Sequence, residues 1–554
     1  MVSEPPPPAG VTLPRCEPCD VGTPTRRELD DLGLQVARGR VTRRTFLGRA
    51  AALGVGTATA GALLAACARK AGPNKGSTLV LALAPASATD SLDPALIIDF
   101  NHSRVWGETL TETNPSDGSL VPVLAESFDA RDSGRQWQFK LRRGVRFHDG
   151  RTMTSDDVVK TLQRHSGAGS RSGALGIMRS IERVEADGPG AILATLKEPN
   201  ADFPYLMSDY HLVIQPGGGY SRPGSGIATG PYRIEAFEPG VRLAATKFRE
   251  HWRDGVGHAD SIEILMINDS TARVSALQSG RAHIINLVEP KIVKFVRRLP
   301  DVIVRTTSGG GHYMFAMRCD QPPFDDADLR LALKYAIDRE EMVKRILYGF
   351  GSVGNDHPVN SSYPLFDESI EQRSFDPERA AFHYRKSGHT GPLVLTAADA
   401  AFPGAVNAAA LYREHAARCG IDIRIVRAPD DGYWTNVWGR APLCVSNWGC
   451  RPTQDQIFSV AYQSDADWNH TRWRRPAFDR MLVQARGEAD SASRKRIYGR
   501  MARLVRDDGG AIIPMFNDFI DAMSARVGGY VHDPGGEISN GFAAIRCWLS
   551  PASP

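Results

Sequence analysis

The sequence lacks the common signatures of hydrolases and ATPases. No Gly-x-Ser-x-Gly, Ser-x-x-Lys or His-Glu-x-x-His motif occurs, and the absence of any Gly-Lys dipeptide excludes a Walker A sequence. No apolar run after residue 67 approaches the length that spans a membrane. We therefore predict a protein that is not an enzyme, has no catalytic residue, and needs neither a cofactor nor a metal ion.

The body of the chain also has little net charge. The first 66 residues carry eight Arg against six Asp and Glu, so about half of the formal net charge of +4 lies there. A body that is almost neutral does not favour nucleic acid as a partner. The hydrophobic content of 42% and charged content of 23% are those of a globular protein, and the length predicts two or three domains.

The segment from Arg40 to Cys67 predicts export and lipid attachment. Arg43-Arg44 and Phe46-Leu47 precede a charge-free run rich in Ala and Gly, which ends in Leu-Ala-Ala-Cys67. The pattern resembles a twin-arginine signal followed by the bacterial lipoprotein box, in which the cysteine is diacylated and becomes the first mature residue. An uncleaved membrane helix is the alternative, but Ala and Gly contribute little transfer energy.

This interpretation divides the N-terminal part of the chain in two. Residues 1–66 are predicted to be a cytoplasmic extension and a signal, and residues 67–76 a lipidated tether. The mature protein would then stand on the outer face of the cytoplasmic membrane, in a periplasmic or extracellular position, with a soluble body held by two acyl chains.

The eight cysteines give no metal-binding pattern. Cys16-x-x-Cys19 has no second pair of ligands nearby to complete a four-coordinate site, so we interpret it as part of a Pro-rich leader. In the body, Cys444 and Cys450 are close enough for a small loop disulfide, and free buried thiols are the alternative. The remaining body cysteines are Cys319, Cys419 and Cys547.

Mixed helix and strand signals follow each other through the body. A strand is predicted at 78–84, another where Trp137, Phe139 and Leu141 alternate with polar residues, a hairpin at 232–245, and strands at 262–266 and 421–425. Helices are predicted to start at Thr154 with a capping box, to run as one long helix through 333–347, to cover 411–419, and to open at Pro476 and Ser491.

Several segments resemble the family 5 extracellular solute-binding proteins, which include the dipeptide- and oligopeptide-binding components of ABC importers. They occur in the family's order over nearly the whole mature chain. They are Val121 to Asp129, Gln136 to Gly150, Thr154 to Val158, Gly230-Pro-Tyr-Arg-Ile, Pro323-Phe-Asp-Asp, Ala336-Ile-Asp-Arg, and Trp468-Asn ahead of Phe478-Asp.

The resemblance implies an α/β, two-lobed periplasmic-binding-protein type II fold with an extra inserted domain. Its layout places domain I at 77–111, 227–310 and 511–554, domain II at 112–226, and domain III at 311–510. It further implies a monomer that encloses a small molecule or peptide in the cleft between the lobes and delivers it to the permease and ATPase subunits of an ABC transporter.

The resemblance also directs attention to the segment Asn447 to Asp455. In the peptide-binding members an aspartate after a tryptophan pairs with the α-ammonium of the peptide, and here Arg451 stands at that position after Trp448. A guanidinium favours a carboxylate or a phosphate. Either Arg451 binds an anionic group of the ligand, or it pairs with Asp455 or another acidic neighbour as a brace of the loop.

Further candidates for ligand binding are Asn447, Trp434, Tyr433 and His312. The aromatic side chains could form walls of a large cleft, and packing in the core is the alternative for each of them. His312 ends the run Ser308-Gly-Gly-Gly-His, which resembles the turn near the family's hinge, and whose glycines could bring backbone N–H groups to a ligand. A simple loop is the alternative here.

Two other functions remain open at this point. The same anchor and fold could serve a surface ligand sensor, and a secreted hydrolase could use the same anchor. A neighbouring permease and ATPase in the operon would favour import, whereas an adjacent sensor kinase would favour signalling.

Overall fold

A computed structural model describes residues 76–97, 100–167 and 169–551. The predicted signal, Cys16, Cys19 and the lipidated Cys67 lie outside these residues. The described residues up to Leu549 form one compact unit. Within the described ranges, no helix combines the length and hydropathy that crossing a bilayer requires.

The body alternates short strands and helices. The strands are β1 Thr78–Leu83, β2 Thr111–Thr113, β3 Leu120–Pro122, β4 Ala125–Arg131, β5 Gln136–Leu141, β6 Ile181–Ala186, β7 Ala191–Leu196, β8 Tyr232–Glu238, β9 Arg242–Lys247, β10 Ser261–Met266, β11 Ile284–Ile285, β12 Val302–Met317, β13 Gly351–Val353, β14 Leu393–Ala397, β15 Ile423–Arg427, β16 Leu443–Trp448, β17 Ala511–Ser524, β18 Val527–Gly528 and β19 Trp548–Leu549. The α-helices are α1 Phe100–Trp106, α2 Ser155–Ser166, α3 Leu175–Met178, α4 Phe203–Leu206, α5 Ser270–Gln278, α6 Val293–Val296, α7 Ala327–Tyr335, α8 Arg339–Arg345, α9 Pro377–Lys386, α10 Ala405–Ala417, α11 Tyr433–Asn436, α12 Gln454–Ala461, α13 Pro476–Gly487, α14 Ser491–Asp508, α15 Glu537–Asn540 and α16 Ala543–Arg546. Short 3-10 turns cover Pro94–Leu96, Asp132–Gly134, Pro216–Gly219 and Pro290–Ile292.

One large sheet joins most of the strands. Its order is β15-β14-β16-β12-β17-β11-β1-β10-β9-β8, and β13 also pairs with β17. The two long strands β12 and β17 run antiparallel in its middle, with a register shift between Ser308 and His312. A separate antiparallel sheet has the order β4-β5-β7-β6 and lies within the range predicted for domain II.

Hydrophobic clusters fill the space between these sheets and the helices. Alternate residues of β12 belong to different clusters: Phe315 and Met317 pack with residues of α7 and α10, whereas Met314 and Ala316 pack with α12, α13 and α14. This is the period of two that a strand covered on both faces requires. The smaller sheet packs its own cluster around Phe139 against α2.

Most of the predicted elements are present. The alternating strand around Phe139 is β5, and the predicted hairpin is formed by β8 and β9. At the start of α2 the Thr154 hydroxyl accepts a hydrogen bond from Asp157 N–H, and the Asp157 carboxylate accepts one from Thr154 N–H. The capping box predicted there is confirmed.

Two predictions are wrong. The helix expected across 333–347 is interrupted, because Asp338 caps a new helix, α8, by accepting a hydrogen bond from Glu341 N–H at 2.9 Å. The glycine run 309–311 is not a turn or a loop but part of strand β12, where the register shift occurs. Gly309 packs so closely on Phe519 that a Cβ there would lie 2.1 Å from the ring, so only glycine fits.

Candidate ligand-binding site

A cavity of about 890 Å³ is the main candidate for a binding site. Its volume falls within the range of pockets that bind small molecules. Three parts of the chain line it: segments between 113 and 211, segments between 362 and 486, and a third group that contains Phe100, Arg104, Phe519 and residues 533–537. These parts belong to the ranges predicted for domains II, III and I.

Arg451 is the one residue among the six ligand-binding predictions that lines the cavity. It follows the end of β16, where ligands commonly bind in α/β sheets. Its backbone N–H donates to the Tyr363 hydroxyl at 3.2 Å, its Nη1 donates to the Cys450 carbonyl at 3.0 Å, and its guanidinium carbon lies 5.6 Å from the centre of the Trp448 ring. These contacts hold the half-buried side chain of Arg451 in place.

The alternative role of Arg451 as a partner of Asp455 is wrong. The Asp455 carboxylate is 2.7 Å from Arg486 Nε, and Arg486 also donates to the Ser459 hydroxyl at 2.5 Å. In the part of the chain that the structure describes, no carboxylate lies within ion-pair distance of Arg451. Arg451 therefore presents to the cavity a positive charge that no carboxylate of the described residues neutralises by direct contact.

Asp209 is a carboxylate whose pKa responds to Arg451 from farther away. It pairs with His211 Nδ1 at 2.6 Å. Burial alone would raise the pKa of Asp209, but His211 and, more weakly, Arg451 lower it below the usual value. Since His211 supplies the direct hydrogen bond, Asp209 leaves the Arg451 guanidinium available to another anion.

Trp448, Asn447 and His312 do not line the cavity. They lie on the paired strands β16 and β12, and their side chains pack against other parts of the chain on the two faces of the sheet. Trp448 lies opposite His312 in the register of β16 and β12, so both side chains share one face of the sheet. Trp448 packs in the cluster that contains α12 to α14, and His312 is fully buried, with its pKa lowered to about 3 by loss of hydration. Asn447 points to the other face, where its amide donates to the Ala401 carbonyl.

Tyr433 and Trp434 are the first two residues of the short helix α11, and neither of them lines the cavity. Tyr433 is buried, and its hydroxyl donates to the Val445 carbonyl at 2.8 Å. Trp434 is 42% exposed and packs edge-on against Tyr433. The two side chains have different environments, as consecutive positions of a surface helix do, and the structure does not bring either one to Arg451.

Several charged residues of the cavity were not predicted from the sequence. Arg104 on α1 is buried, donates to the Ser208 carbonyl at 3.0 Å and lies over the Phe542 ring at 4.6 Å. Asp533 and Glu537 follow β18 on either side of Pro534-Gly535-Gly536. A turn flanked by two acidic residues is the signal that could have drawn attention to this pair, whereas nothing in the local sequence marks Arg104.

The cysteines do not form the loop disulfide that the sequence left open. Cys319, Cys419, Cys444, Cys450 and Cys547 are all free thiols. Cys450 lies against Gly310 and Tyr363, and burial raises the pKa of its thiol to about 11. Among the described side chains, no group of three or more His, Cys, Asp or Glu is placed to hold a metal ion.

The fold and the cavity together define a class of protein that encloses a solute. A family model described as bacterial extracellular solute-binding proteins, family 5 Middle, matches residues 119–470. Because this match covers more than half of the chain, the protein belongs to the family 5 bacterial extracellular solute-binding proteins.

Individual relatives are distant in sequence. The glutathione-binding protein GsiB of Pectobacterium atrosepticum is 23% identical over 474 residues, which cover 82% of this chain and 90% of that protein. The periplasmic binding protein DppA of Helicobacter pylori, solved with the peptide STSA, is similar with a TM-score of 0.75 and 20% identity, over 86% of this chain and 99% of that one. AgaA of A. tumefacien R10, solved with agropinic acid, gives a TM-score of 0.74 and 21% identity over the same shares. The fold is therefore that of two-lobed periplasmic binding proteins.

Proposed function

We propose that this chain is the lipid-anchored, extracytoplasmic binding protein of an ABC importer, and that its ligand is a peptide or a related solute with an anionic group. The ligand occupies the cavity, Arg451 binds the anionic group, and the loaded protein docks on the permease, which the ATPase drives. Membership of family 5 supports the import role, and the segment from Arg40 to Cys67 supports the anchor.

The guanidinium of Arg451, which no carboxylate of the described residues contacts, carries the ligand part of the proposal. A cation that is half-buried beside a cavity gains most from a partner that supplies both charge and hydrogen bonds, as a carboxylate or phosphate does. The names of the relatives include glutathione, a peptide and agropinic acid, so peptides and acids are both reasonable for this chain.

Contacts between segments of predicted domains II and III support closure around the ligand. Arg494 Nη1 lies 3.2 Å from an Asp202 oxygen, and Ala201 N–H donates to the Arg486 carbonyl at 2.8 Å. A ligand that touches Arg451 on one side and the segment around Ser208 on the other adds to these contacts. Its binding energy would then shift an open form towards the closed one.

The proposal is tested by replacing Arg451 with Met, which keeps the length of the side chain and removes its charge. Hydrogen bonds to charged groups contribute about 1.5–3 kcal/mol, so affinity should fall roughly 10- to 100-fold. Binding is measured calorimetrically with the compound that native mass spectrometry finds in the purified wild type, or with the best hit of a thermal-shift panel of peptides and carboxylic acids.

Two further variants sharpen the test. Arg451→Lys keeps the charge and should retain part of the affinity, whereas Arg424→Met removes an exposed arginine of β15 and should leave affinity unchanged. Unchanged binding in Arg451→Met would contradict the proposed role. The anchor is tested separately, since Cys67→Ser should move the protein from the membrane fraction to the soluble one.

A further inference from the structure

A second group of charged side chains lines the same cavity, on the segment that follows β18. Asp533 and Glu537 both contribute to the cavity wall. Asp533 is 3% exposed, its Oδ1 accepts a hydrogen bond from Gly535 N–H at 2.9 Å, and its Oδ2 has no hydrogen-bond donor among the described residues. A buried carboxylate oxygen without a donor marks a place where a partner is missing.

Protein cations neutralise this pair of acids only weakly: Arg546 forms a long ion pair with Asp533, and burial still raises the pKa of Asp533. Arg546 Nη1 is 3.8 Å from Asp533 Oδ2, beyond hydrogen-bond distance, and donates instead to the Ser539 hydroxyl at 3.1 Å. For Glu537, the described residues offer no Lys, Arg or His within ion-pair distance, and the side chain of Asn101 is its hydrogen-bond partner. Burial raises the pKa of both Asp533 and Glu537, as expected for carboxylates short of positive charge.

The backbone around Glu537 is held firmly in place. Ile538 N–H donates at 2.7 Å to Asp521, a fully buried carboxylate of β17. Residues 538–540 adopt left-handed backbone angles, with φ of 54°, 57° and 54°, although none of them is glycine. Such a conformation persists only where the surroundings impose it, so Glu537 is presented to the cavity in a fixed position.

Aromatic rings stand beside the acids. Phe100 lines the cavity and packs so closely on Gly536 that a Cβ there would lie 3.0 Å from its ring. Tyr210, also in the lining, tilts against Phe100 with 5.9 Å between ring centres. Carboxylates next to aromatic faces suit an organic cation, which gains from both charge and ring contact. The described side chains offer no set of metal ligands here.

We propose that Glu537 and Asp533 form a subsite for a cationic nitrogen of the ligand, an ammonium or a guanidinium, with Glu537 in contact and Asp533 behind it. The inference rests on the proposed function, since Arg451 takes the anionic group of the same molecule. The cavity then selects ligands that carry both charges, and it holds the positive group on the segment after β18 rather than on the segment after Trp448.

The test uses pairs of compounds that differ only in the cationic nitrogen. The probes are di- to tetrapeptides with free termini, their N-acetylated forms, and arginine-containing members paired with citrulline. Thermal shift ranks them on the full mature protein, and calorimetry measures the best pairs. For the wild type, neutralising the nitrogen should weaken binding at least tenfold.

The variants are Glu537→Gln, Asp533→Asn and, as a matched surface control, Glu182→Gln, which lies outside the cavity lining. Glu537→Gln should bind the charged and the neutral member of each pair with equal, reduced affinity, and Asp533→Asn should show a smaller loss of the same kind. The control should discriminate as the wild type does. Melting temperatures without ligand show whether each variant is folded.

Each result separates this subsite from the Arg451 proposal. Equal binding of charged and neutral probes by the wild type, or full discrimination by both folded variants, would overturn the cation subsite and leave Arg451 untouched. Discrimination lost in Glu537→Gln, with affinity unchanged in Arg451→Met, would overturn only the anion site. A panel in which no probe raises the melting temperature would overturn both.

Discussion

Two regions of the molecule bury charge in different ways. Around Asp356, which is fully buried, Arg339 Nη2 lies at 2.6 Å and Arg373 Nε at 3.0 Å from the same carboxylate oxygen. The other oxygen accepts a hydrogen bond from Ile513 N–H at 3.1 Å. Burial alone would raise the pKa of Asp356, but the two arginines and Lys334 lower it below the usual value.

The cavity shows the opposite arrangement. Arg451 has no carboxylate in contact within the described residues, and Glu537 and Asp533 are acids whose pKa burial raises. Charges that the chain neutralises itself hold segments together, whereas charges left without a partner beside a cavity cost stability and are useful only with a ligand. The comparison therefore separates residues that stabilise the fold from residues that we propose bind the ligand.

The largest expected effect comes from breaking the neutralised group. Asp356→Asn preserves the shape of the side chain but leaves Arg339 as a buried cation with no carboxylate in contact among the described residues, whereas Arg373 keeps its contact with Asp507 at 2.8 Å. Removing one partner of a buried ion pair costs about 3–5 kcal/mol of unfolding free energy. Urea unfolding of the mature protein measures this loss. Asp422→Asn, at an exposed carboxylate 4.0 Å from Arg424, is the matched control. A loss at Asp356 no larger than the control would end the distinction between the two regions.

The sequence predicts local elements of the fold better than it predicts contacts between distant segments. Elements whose signals are local, such as β5, the capping box at Thr154 and the helices at Pro476 and Ser491, follow from periodicity and capping. The break at Asp338 was missed because apolar positions at helical spacing continue across it, although Asp338 followed by Glu341 is the pattern of an N-cap.

The candidate site was predicted only in part because a cavity is made by distant segments. Arg451 was found from its position after Trp448, but the aromatic residues beside it follow the pleat of β16 or the packing of α11 and lie elsewhere. Glu537 comes more than eighty residues later and reaches the same cavity through the long strand β17. No local sequence pattern predicts that two such distant segments line the same cavity.

A smaller effect, of opposite sign, is expected from removing an unneutralised charge. The folded protein raises the pKa of Glu537 above 4.5, so the folded state favours the protonated form and loses stability relative to the unfolded chain as the pH rises above that value. Glu537→Gln has no such proton to lose. Without ligand it should therefore exceed the wild type in stability at pH 7 by on the order of 1 kcal/mol.

The difference should shrink as the pH is lowered towards 4, where the wild-type carboxyl is also neutral. Urea unfolding of the wild type and Glu537→Gln at several pH values measures it, and Glu182→Gln is the control for the substitution itself. A variant that is less stable than the wild type at pH 7 would show that Glu537 stabilises the fold. Glu537 would then act as Asp356 does, rather than as a residue reserved for the ligand.

The smallest effect is expected where a charge is paired but exposed. Glu182 lies 3.1 Å from Arg135, and the two side chains are 52% and 45% exposed. Water and salt screen such a pair, and ordering two long side chains offsets the attraction, so Glu182→Gln should change the unfolding free energy by less than about 0.5 kcal/mol. The measurement is the same urea titration, repeated at high salt, where the difference should vanish. The two ion pairs have similar distances but differ in hydration. A loss of stability comparable to that of Asp356→Asn would therefore mean that the ion pair contributes the same stability whether it is exposed or buried.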